Sequence, residues 1–174
     1  MCRFAGRART PFMSAATIEL LQSMPIFGAI REDTLRHLVA QVREVQVTAG
    51  AHFFREGDAA TGLFVLESGR VEVLKAWQGR DHLLRELGPG DCFGEMALMD
   101  FGPRSASVRA LEDCTALELC PEHLQSLFDY DPVQFALVQM NLGREVCRRL
   151  RATDELLFQA EMTGALPARP RHAA

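Results

Sequence analysis

The residues with the clearest chemical potential lie in one segment, residues 93–108, which reads Phe-Gly-Glu-Met-Ala-Leu-Met-Asp-Phe-Gly-Pro-Arg-Ser-Ala-Ser-Val. Gly94 lets the backbone approach a ligand closely, and a helical turn starting at Glu95 would present free N–H groups that favour an anion. Arg104 carries a planar guanidinium that matches phosphate oxygens, and Ser105 adds a hydroxyl beside it. The carboxylate of Glu95 can accept hydrogen bonds from sugar hydroxyls. The segment predicts a site for a phosphate and a sugar, unless Glu95 and Arg104 simply pair with each other across the loop.

Short strands are the elements that must position this segment. Between residues 44 and 120, apolar and polar residues alternate with a period of two, and turns such as Gly57-Asp58 and Ser68-Gly69 separate the runs. Many short alternating runs with regular glycine turns indicate an antiparallel sandwich, barrel or roll. We therefore predict a mainly β fold, an antiparallel jelly-roll-like β-roll over about 44–120.

Helices are predicted on both sides of the roll. Residues 17–43 carry apolar residues at helical spacing, and Asp33 or Thr34 is expected to cap a helix there. Residues 121–162 are also helical in pattern, with Asp131-Pro132 as a helix-start signal. The predicted organisation is a flexible segment at 1–16, one domain at 17–162 and a disordered tail at 163–174.

The long C-terminal helix carries an apolar stripe interleaved with arginines. The stripe consists of Phe135, Val138, Leu142, Val146, Leu150 and Leu157, and the arginines are Arg144, Arg148, Arg149 and Arg151. The stripe either packs on the roll or pairs with a second copy of the chain; we expect core packing for the first half and a homodimer contact for the second. Gly143 and the arginines would weaken a continuous coiled coil, and we expect the arginines to form a solvated face.

The composition excludes several classes of function. The 174 residues are 48% hydrophobic, enough for the core of one compact domain, and the net charge of −4 argues against a surface built to attract nucleic acid. The five cysteines form no CxxC pair, so we expect reduced thiols in a cytoplasmic protein and no zinc or iron–sulfur site. No apolar run approaches the ~20 residues that span a bilayer, and no secretory signal is present, so no membrane contact is expected.

The segment at 93–108 resembles the phosphate-binding cassette of the cyclic nucleotide-binding domain family, found in catabolite activator proteins, protein kinase A regulatory subunits and cyclic nucleotide-gated channels. Three further motifs resemble the same family. They are the early turns of the roll from Thr48 to Asp58, the central hairpin Glu67-Ser-Gly-Arg-Val-Glu-Val73 and the turn Leu87-Gly-Pro-Gly-Asp91 that enters the cassette. The resemblance covers roughly residues 20 to 160 and implies the same β-roll.

The resemblance also implies a role for each matching residue. Glu95 would accept a hydrogen bond from the ribose 2′-hydroxyl, and Arg104 would pair with the exocyclic phosphate oxygens. Val73 and Leu84 would form walls around the base, and alignment of Arg148-Arg149-Leu150 with the long helix of the catabolite activator type places Thr153 near the base. The cassette residues expected to supply backbone or hydroxyl contacts are Gly94, Met96, Ala97, Ser105 and Ala106.

The identity of the base stays open between adenine and guanine. Arg85 follows Leu84, and a guanine edge offers the O6 and N7 acceptors that suit arginine, whereas adenine places a donor at N6. A Leu-Arg pair at this place, with Ser105 after the cassette arginine, resembles the cGMP-selective site of cGMP-dependent kinase. Serine at that place also occurs in relatives that bind cAMP, and Arg85 is equally readable as an exposed strand residue. The expected ligand is therefore cAMP or cGMP.

The resemblance implies a sensor module and not an enzyme, with no catalytic residue, no metal and no cofactor beyond the ligand. Ligand binding would move the C-terminal helix and change the surface offered to a protein effector that the sequence does not identify. Because the chain ends soon after Glu161, we expect no helix-turn-helix and no DNA contact. One alternative is a scaffold with a degenerate pocket that binds only protein. Another is a cupin-like metalloenzyme, against which the five dispersed histidines argue.

Overall fold

The computed structural model describes residues 7–9, 15–100 and 102–164, with side chains from residue 17 onward except that of Ala97. Within these residues all strand pairs are antiparallel. The strands are β1 Arg7–Arg9, β2 Arg43–Val47, β3 His52–Phe54, β4 Leu63–Ser68, β5 Val71–Trp77, β6 Arg80–Leu87, β7 Cys92–Phe93, β8 Ser107–Ala110 and β9 Cys114–Leu119. The helices are α1 Ala15–Ser23, α2 Glu32–Val39, α3 Met96–Met99, α4 Pro121–Tyr130 and α5 Pro132–Met162, with a 3-10 turn at Pro25–Phe27.

Two sheets face each other to form the roll. One has the strand order β1-β2-β9-β4-β7 and the other β3-β8-β5-β6. The predicted mainly β fold, a roll flanked by short N-terminal helices and one long C-terminal helix, is confirmed. Strand β1 lies within the segment at 1–16 that we expected to be flexible, and it pairs with β2. The domain boundaries stay a prediction, and the expected tail beyond Gly164 lies outside the described residues.

Strand β9 separates two apolar clusters because successive side chains of a strand point to opposite faces. Cys114 and Ala116 belong to the cluster between the two sheets, inside the roll. Leu117 and Leu119 belong to the cluster that packs the outer face of the sheet against the helices. The roll thus has a closed helical side and an interior lined by the inner faces of both sheets.

The two helix starts predicted from capping residues have different outcomes. Asp131 caps α5 as expected, and its carboxylate accepts hydrogen bonds from the backbone N–H groups of Val133 and Gln134, each at 3.0 Å. The prediction for α2 is wrong, because Arg31 occupies the cap position. Asp33 already lies in the first turn, where its carboxylate accepts from the N–H of its neighbour Thr34.

Helix α5 continues through Gly143 without interruption, and its two halves differ in burial. Val138 and Leu142 of the first half belong to the core under the helices, which confirms the packing expected there. In the second half Leu150 and Phe158 are 58% and 56% exposed. None of the described helices is both long and apolar enough to cross a membrane.

The cysteines only partly match the expectation of reduced thiols. Cys92, Cys114 and Cys147 are free. Cys120 is disulfide-bonded, so the expectation is wrong for this residue.

Candidate functional site

A cavity enclosing about 440 Å³, part of it open to solvent, lies between the inner face of the roll and helix α5. The cavity brings together eight of the predicted site residues, namely Val73, Arg85, Gly94, Glu95, Met96, Arg104, Ser105 and Ala106. Five further residues complete the lining, namely Phe54, Leu87, Phe93, Val108 and Arg149.

Arg104 is the buried cation of this cavity, with only 3% of the residue exposed. Its guanidinium carbon lies 4.0 Å from the centre of the Phe54 ring, and its Nη1 donates a hydrogen bond to the carbonyl of Gly94 at 3.1 Å. Its backbone is held by the turn after β3, where Arg104 donates to the carbonyl of Asp58 and accepts from the N–H of Gly57. Burial lowers the pKa of Arg104 to about 10, so the side chain stays charged at neutral pH.

Gly94 is required by the close approach of Arg104. Its backbone has φ +78°, a conformation that L side chains rarely adopt, and a Cβ there would lie 2.5 Å from Nη1 of Arg104. The glycine anticipated for close backbone approach to a ligand therefore also makes room for the guanidinium.

Glu95 pairs with an arginine, but not with the one considered from the sequence. Nη1 of Arg149 lies 2.6 Å from Oε1 of Glu95, and the side chains are 17% and 5% exposed. Arg149 also donates to the carbonyl of Cys92 at 2.8 Å and to Glu145 at 2.8 Å. The alternative of a Glu95–Arg104 pair across the loop is therefore not what the structure contains.

The expectation that the arginines of α5 form a solvated face is wrong for Arg149. Helix α5 passes over the cavity, so this one arginine of the group points into it while Arg148 remains 58% exposed along its side chain. Burial acts to lower the pKa of Arg149, but the nearby carboxylates of Glu95 and Glu145 raise it overall. From the sequence, Arg149 was expected in the solvated face and served to align Thr153, and that alignment was the signal that could have placed Arg149 in the site.

The cassette has two parts that meet at the rim of the cavity: a helical turn after Glu95, and the stretch that carries Arg104 and Ser105, which we call the cassette arm. The turn expected from Glu95 onward is α3, and Ala97 lies within it. The Ser105 hydroxyl contacts the sulfur of Met96 at 3.6 Å. On the other side of the arm, Nζ of Lys75 donates to the carbonyl of Ser105 at 2.7 Å and to Glu56 at 2.6 Å. Lys75 thus ties the arm to strand β5.

The wall predicted from Val73 and Leu84 is only half present. Val73 lines the cavity, whereas Leu84 is 57% exposed and lies outside the lining. The reason is a bulge in β6: Val73 pairs with Arg85 and Leu74 with Leu83, so Leu84 is the extra residue. Arg85 consequently takes the inward position opposite Val73, and Leu87 fills the wall further along the strand.

Arg85 and Thr153, the two residues proposed from the sequence to read the base, lie in different surroundings. Partial burial, together with the charge of Arg149, lowers the pKa of Arg85, and its side chain makes no hydrogen bond within the part of the chain that the structure describes. Thr153 is exposed and does not line the cavity. Its hydroxyl donates to the carbonyl of Arg149, one turn earlier in α5, at 3.0 Å.

Comparison with known proteins connects this arrangement to one family. A family model described as the cyclic nucleotide-binding domain matches residues 44–131. A "CRP-like cAMP-activated global transcriptional regulator" from Mycobacterium tuberculosis is 31% identical over 140 residues, which cover 80% of this chain and 61% of that protein.

Two solved structures share the fold. The catabolite activator protein of Thermus thermophilus has a TM-score of 0.70 and 33% identity, covering 79% of this chain and 63% of its own. The regulatory domain of protein kinase A from Toxoplasma gondii, crystallised with cAMP, has a TM-score of 0.61 and 28% identity, covering 64% of this chain and 43% of its own. The chain spans about 61% of the length of the curated regulator it matches.

Proposed function

The chain belongs to the cyclic nucleotide-binding domain family, and from this premise we propose that it binds a 3′,5′-cyclic nucleotide, cAMP or cGMP, as a sensor module. The observation that carries the proposal is Arg104, a charged guanidinium that is 3% exposed and lines a cavity opposite a carboxylate. A buried charge is costly unless it meets an opposite charge. An anionic phosphate in the cavity would supply one to Arg104.

The cavity supports a division of roles among its residues. Arg104 and the N–H groups at the start of α3 would bind the cyclic phosphate, with Gly94, Ala97, Ser105 and Ala106 supplying backbone or hydroxyl contacts. Glu95 would accept from the ribose 2′-hydroxyl while Arg149 holds its carboxylate. Val73 and Leu87 would pack against the base.

Calorimetric titration with cAMP and cGMP tests the proposal directly. We expect saturable binding of at least one of them, and much weaker binding of 5′-AMP, whose open phosphate has a different shape and charge. No heat with either cyclic nucleotide at high micromolar concentration would contradict the proposal and favour a scaffold that binds only protein.

We propose that Arg149 couples cyclic nucleotide binding to helix α5. Because Arg149 contacts Glu95 at 2.6 Å, a ribose bound at Glu95 would touch a side chain of the helix directly. Hydrogen exchange measures this coupling: cAMP should protect amides of α5 in the wild type and protect them less in Arg149→Met. Equal protection in both proteins would contradict a route through this residue.

The second half of α5 supports a homodimer. Its exposed apolar side chains are Leu150, Leu156, Phe158 and Met162, a patch of the kind that marks interaction surfaces. Sedimentation with and without cAMP should give twice the chain mass in at least one state, and Leu156→Glu combined with Phe158→Glu should return it to one. A monomer in both states would leave this patch to the protein effector.

A further inference from the structure

Glu118 is a buried carboxylate in the interior of the roll that the roles proposed above do not use. It continues the inward series of β9 after Cys114 and Ala116, at a position where the alternation calls for an apolar residue. Only 1% of the residue is exposed. One carboxylate oxygen accepts from the hydroxyl of Thr61 at 3.2 Å, and the other has no hydrogen-bond partner in the described part of the chain.

Arg104 lies in the same interior, and its buried Nε donates no hydrogen bond to any residue that the structure describes. Its guanidinium carbon is 5.8 Å from the centre of the Phe64 ring. Phe64 is the cross-strand partner of Glu118 in the β4–β9 pair, so their side chains share one face of the sheet. Two opposite buried charges therefore flank the same aromatic ring.

Electrostatics agrees with this placement. Burial lowers the pKa of Arg104, and among the carboxylates that oppose this effect Glu118 contributes most, ahead of Asp58 and Glu95. Glu118 is thus the main negative charge that Arg104 senses within the described residues. The converse attraction is weaker: burial raises the pKa of Glu118, and among the cations that oppose this effect Arg43 contributes more than Arg104.

We propose that Glu118 is the internal counter-charge of Arg104, which stabilises the guanidinium while the pocket holds no anion and weakens its hold on a phosphate that binds. Without a counter-charge, the buried guanidinium would destabilise the nucleotide-free fold. When a phosphate arrives, Arg104 faces two negative charges that repel each other, so the attractions to Glu118 and to the ligand are anti-cooperative. The part concerning affinity rests on the proposed function, whereas the part concerning stability does not.

Glu118→Gln separates these two effects, because glutamine keeps the shape of the side chain and removes its charge. We expect cAMP to bind about fivefold or more tighter, the lower end of a typical coupling between two sites. The Tm of the nucleotide-free protein combines the lost attraction to Arg104 with the removal of a charge that burial disfavours, so the double-mutant cycle below isolates the first effect. Thr61→Val is the matched control: it removes the hydrogen bond to Glu118 and keeps the charge, so the Tm should fall while the Kd for cAMP stays within about twofold. Unchanged or weaker cAMP binding by Glu118→Gln would overturn the proposal.

A double-mutant cycle with Arg104→Met shows whether Glu118 acts through Arg104, and it needs no ligand. In that background Glu118 has lost the attraction of Arg104 and keeps that of Arg43, so Glu118→Gln should lower the Tm less, or raise it more, than it does in the wild type. The same change of Tm in both backgrounds would mean that the carboxylate does not act through Arg104, and would overturn the proposal.

The double-mutant cycle also remains informative if one of the other measurements fails. If Glu118→Gln alone is too unstable to purify, Arg104→Met and the double variant carry the same comparison, and a double variant that is likewise too unstable to purify overturns the counter-charge. If the wild type binds neither cyclic nucleotide, the proposed function fails by itself and the Tm cycle still tests the counter-charge.

Discussion

The cassette end and the β6 end of the cavity each contribute an arginine, and the two arginines differ in burial and in hydrogen bonding. At the cassette end, Arg104 is 3% exposed, stacked on Phe54 and bonded to Gly94. At the other end, Arg85 stands on β6, the edge strand of its sheet, and makes no hydrogen bond within the described residues. Every residue of β6 except Leu87 is exposed. Packing on all sides fixes the side chains at the buried end of the cavity, whereas the exposed side chains of an edge strand are not fixed in this way until a ligand binds.

This contrast explains why more contacts support the proposed ligand class than support a choice between adenine and guanine. The phosphate and ribose positions that we propose rest on side chains that are each held by several contacts. The base would contact β6, which has one neighbouring strand, and a turn of α5 whose Thr153 does not line the cavity. Substitutions at the two ends should therefore differ in size and in selectivity.

Arg104→Ala should give the largest effect. The phosphate would lose its charge-assisted pair, so we expect binding of both cyclic nucleotides to weaken by about 2–4 kcal/mol, or ~30- to 1000-fold. Calorimetry measures it, with Arg36→Ala as the control because, among the residues that the structure describes, Arg36 forms its ion pair with Glu32 alone on the surface of α2. An unchanged Kd would remove Arg104 from its assigned role.

Gly94→Ala should damage the same end through the backbone. The new Cβ would collide with Nη1 of Arg104 at a positive φ, which costs about 2 kcal/mol of stability and displaces the guanidinium. Thermal unfolding and cAMP titration should both report the loss. The matched control is Gly88→Ala, since a Cβ at Gly88 meets nothing within 4 Å; equal behaviour of the two variants would contradict the steric account.

Arg85→Ala probes the opposite end and should be selective. If Arg85 reads a guanine edge, cGMP binding should weaken about tenfold, or ~1.4 kcal/mol, while cAMP binding barely changes. The ratio of the two Kd values in wild type and variant is the measurement. Equal effects on both ligands would make Arg85 a structural residue and leave adenine and guanine undistinguished at this position.

Lys75→Met should give the smallest effect. Lys75 positions the cassette arm from outside the cavity, and its ion pair with Glu56 is 48% and 29% exposed, so solvent screens it and the expected loss is below about 1 kcal/mol. The Kd for cAMP should rise by no more than about fivefold. Arg70→Met removes a comparably exposed pair with Glu112 that lies away from the cavity, and its Kd should not change; an equal change in both variants would remove the positioning role from Lys75.

Much of the fold could be predicted from local pattern. Alternation with a period of two identified the roll, and Asp131-Pro132 marked the start of α5, because both signals depend on neighbouring residues alone. The bulge at Leu84 could not be read in this way. A single extra residue exchanges the two faces of a strand, and whether it is inserted depends on the partner strand.

The site shows the same division. Residues 93–108 by themselves predicted that a carboxylate, a glycine and a guanidinium would belong to one site, through their residue types and their resemblance to the cassette. Only the tertiary structure decided that Arg149, 54 positions from Glu95, would bind that carboxylate. It also decided that Arg85 would replace Leu84 in the wall and that Glu118 would share the interior with Arg104. These contacts depend on how strands register and where a helix docks, and those choices belong to the packing of the whole chain.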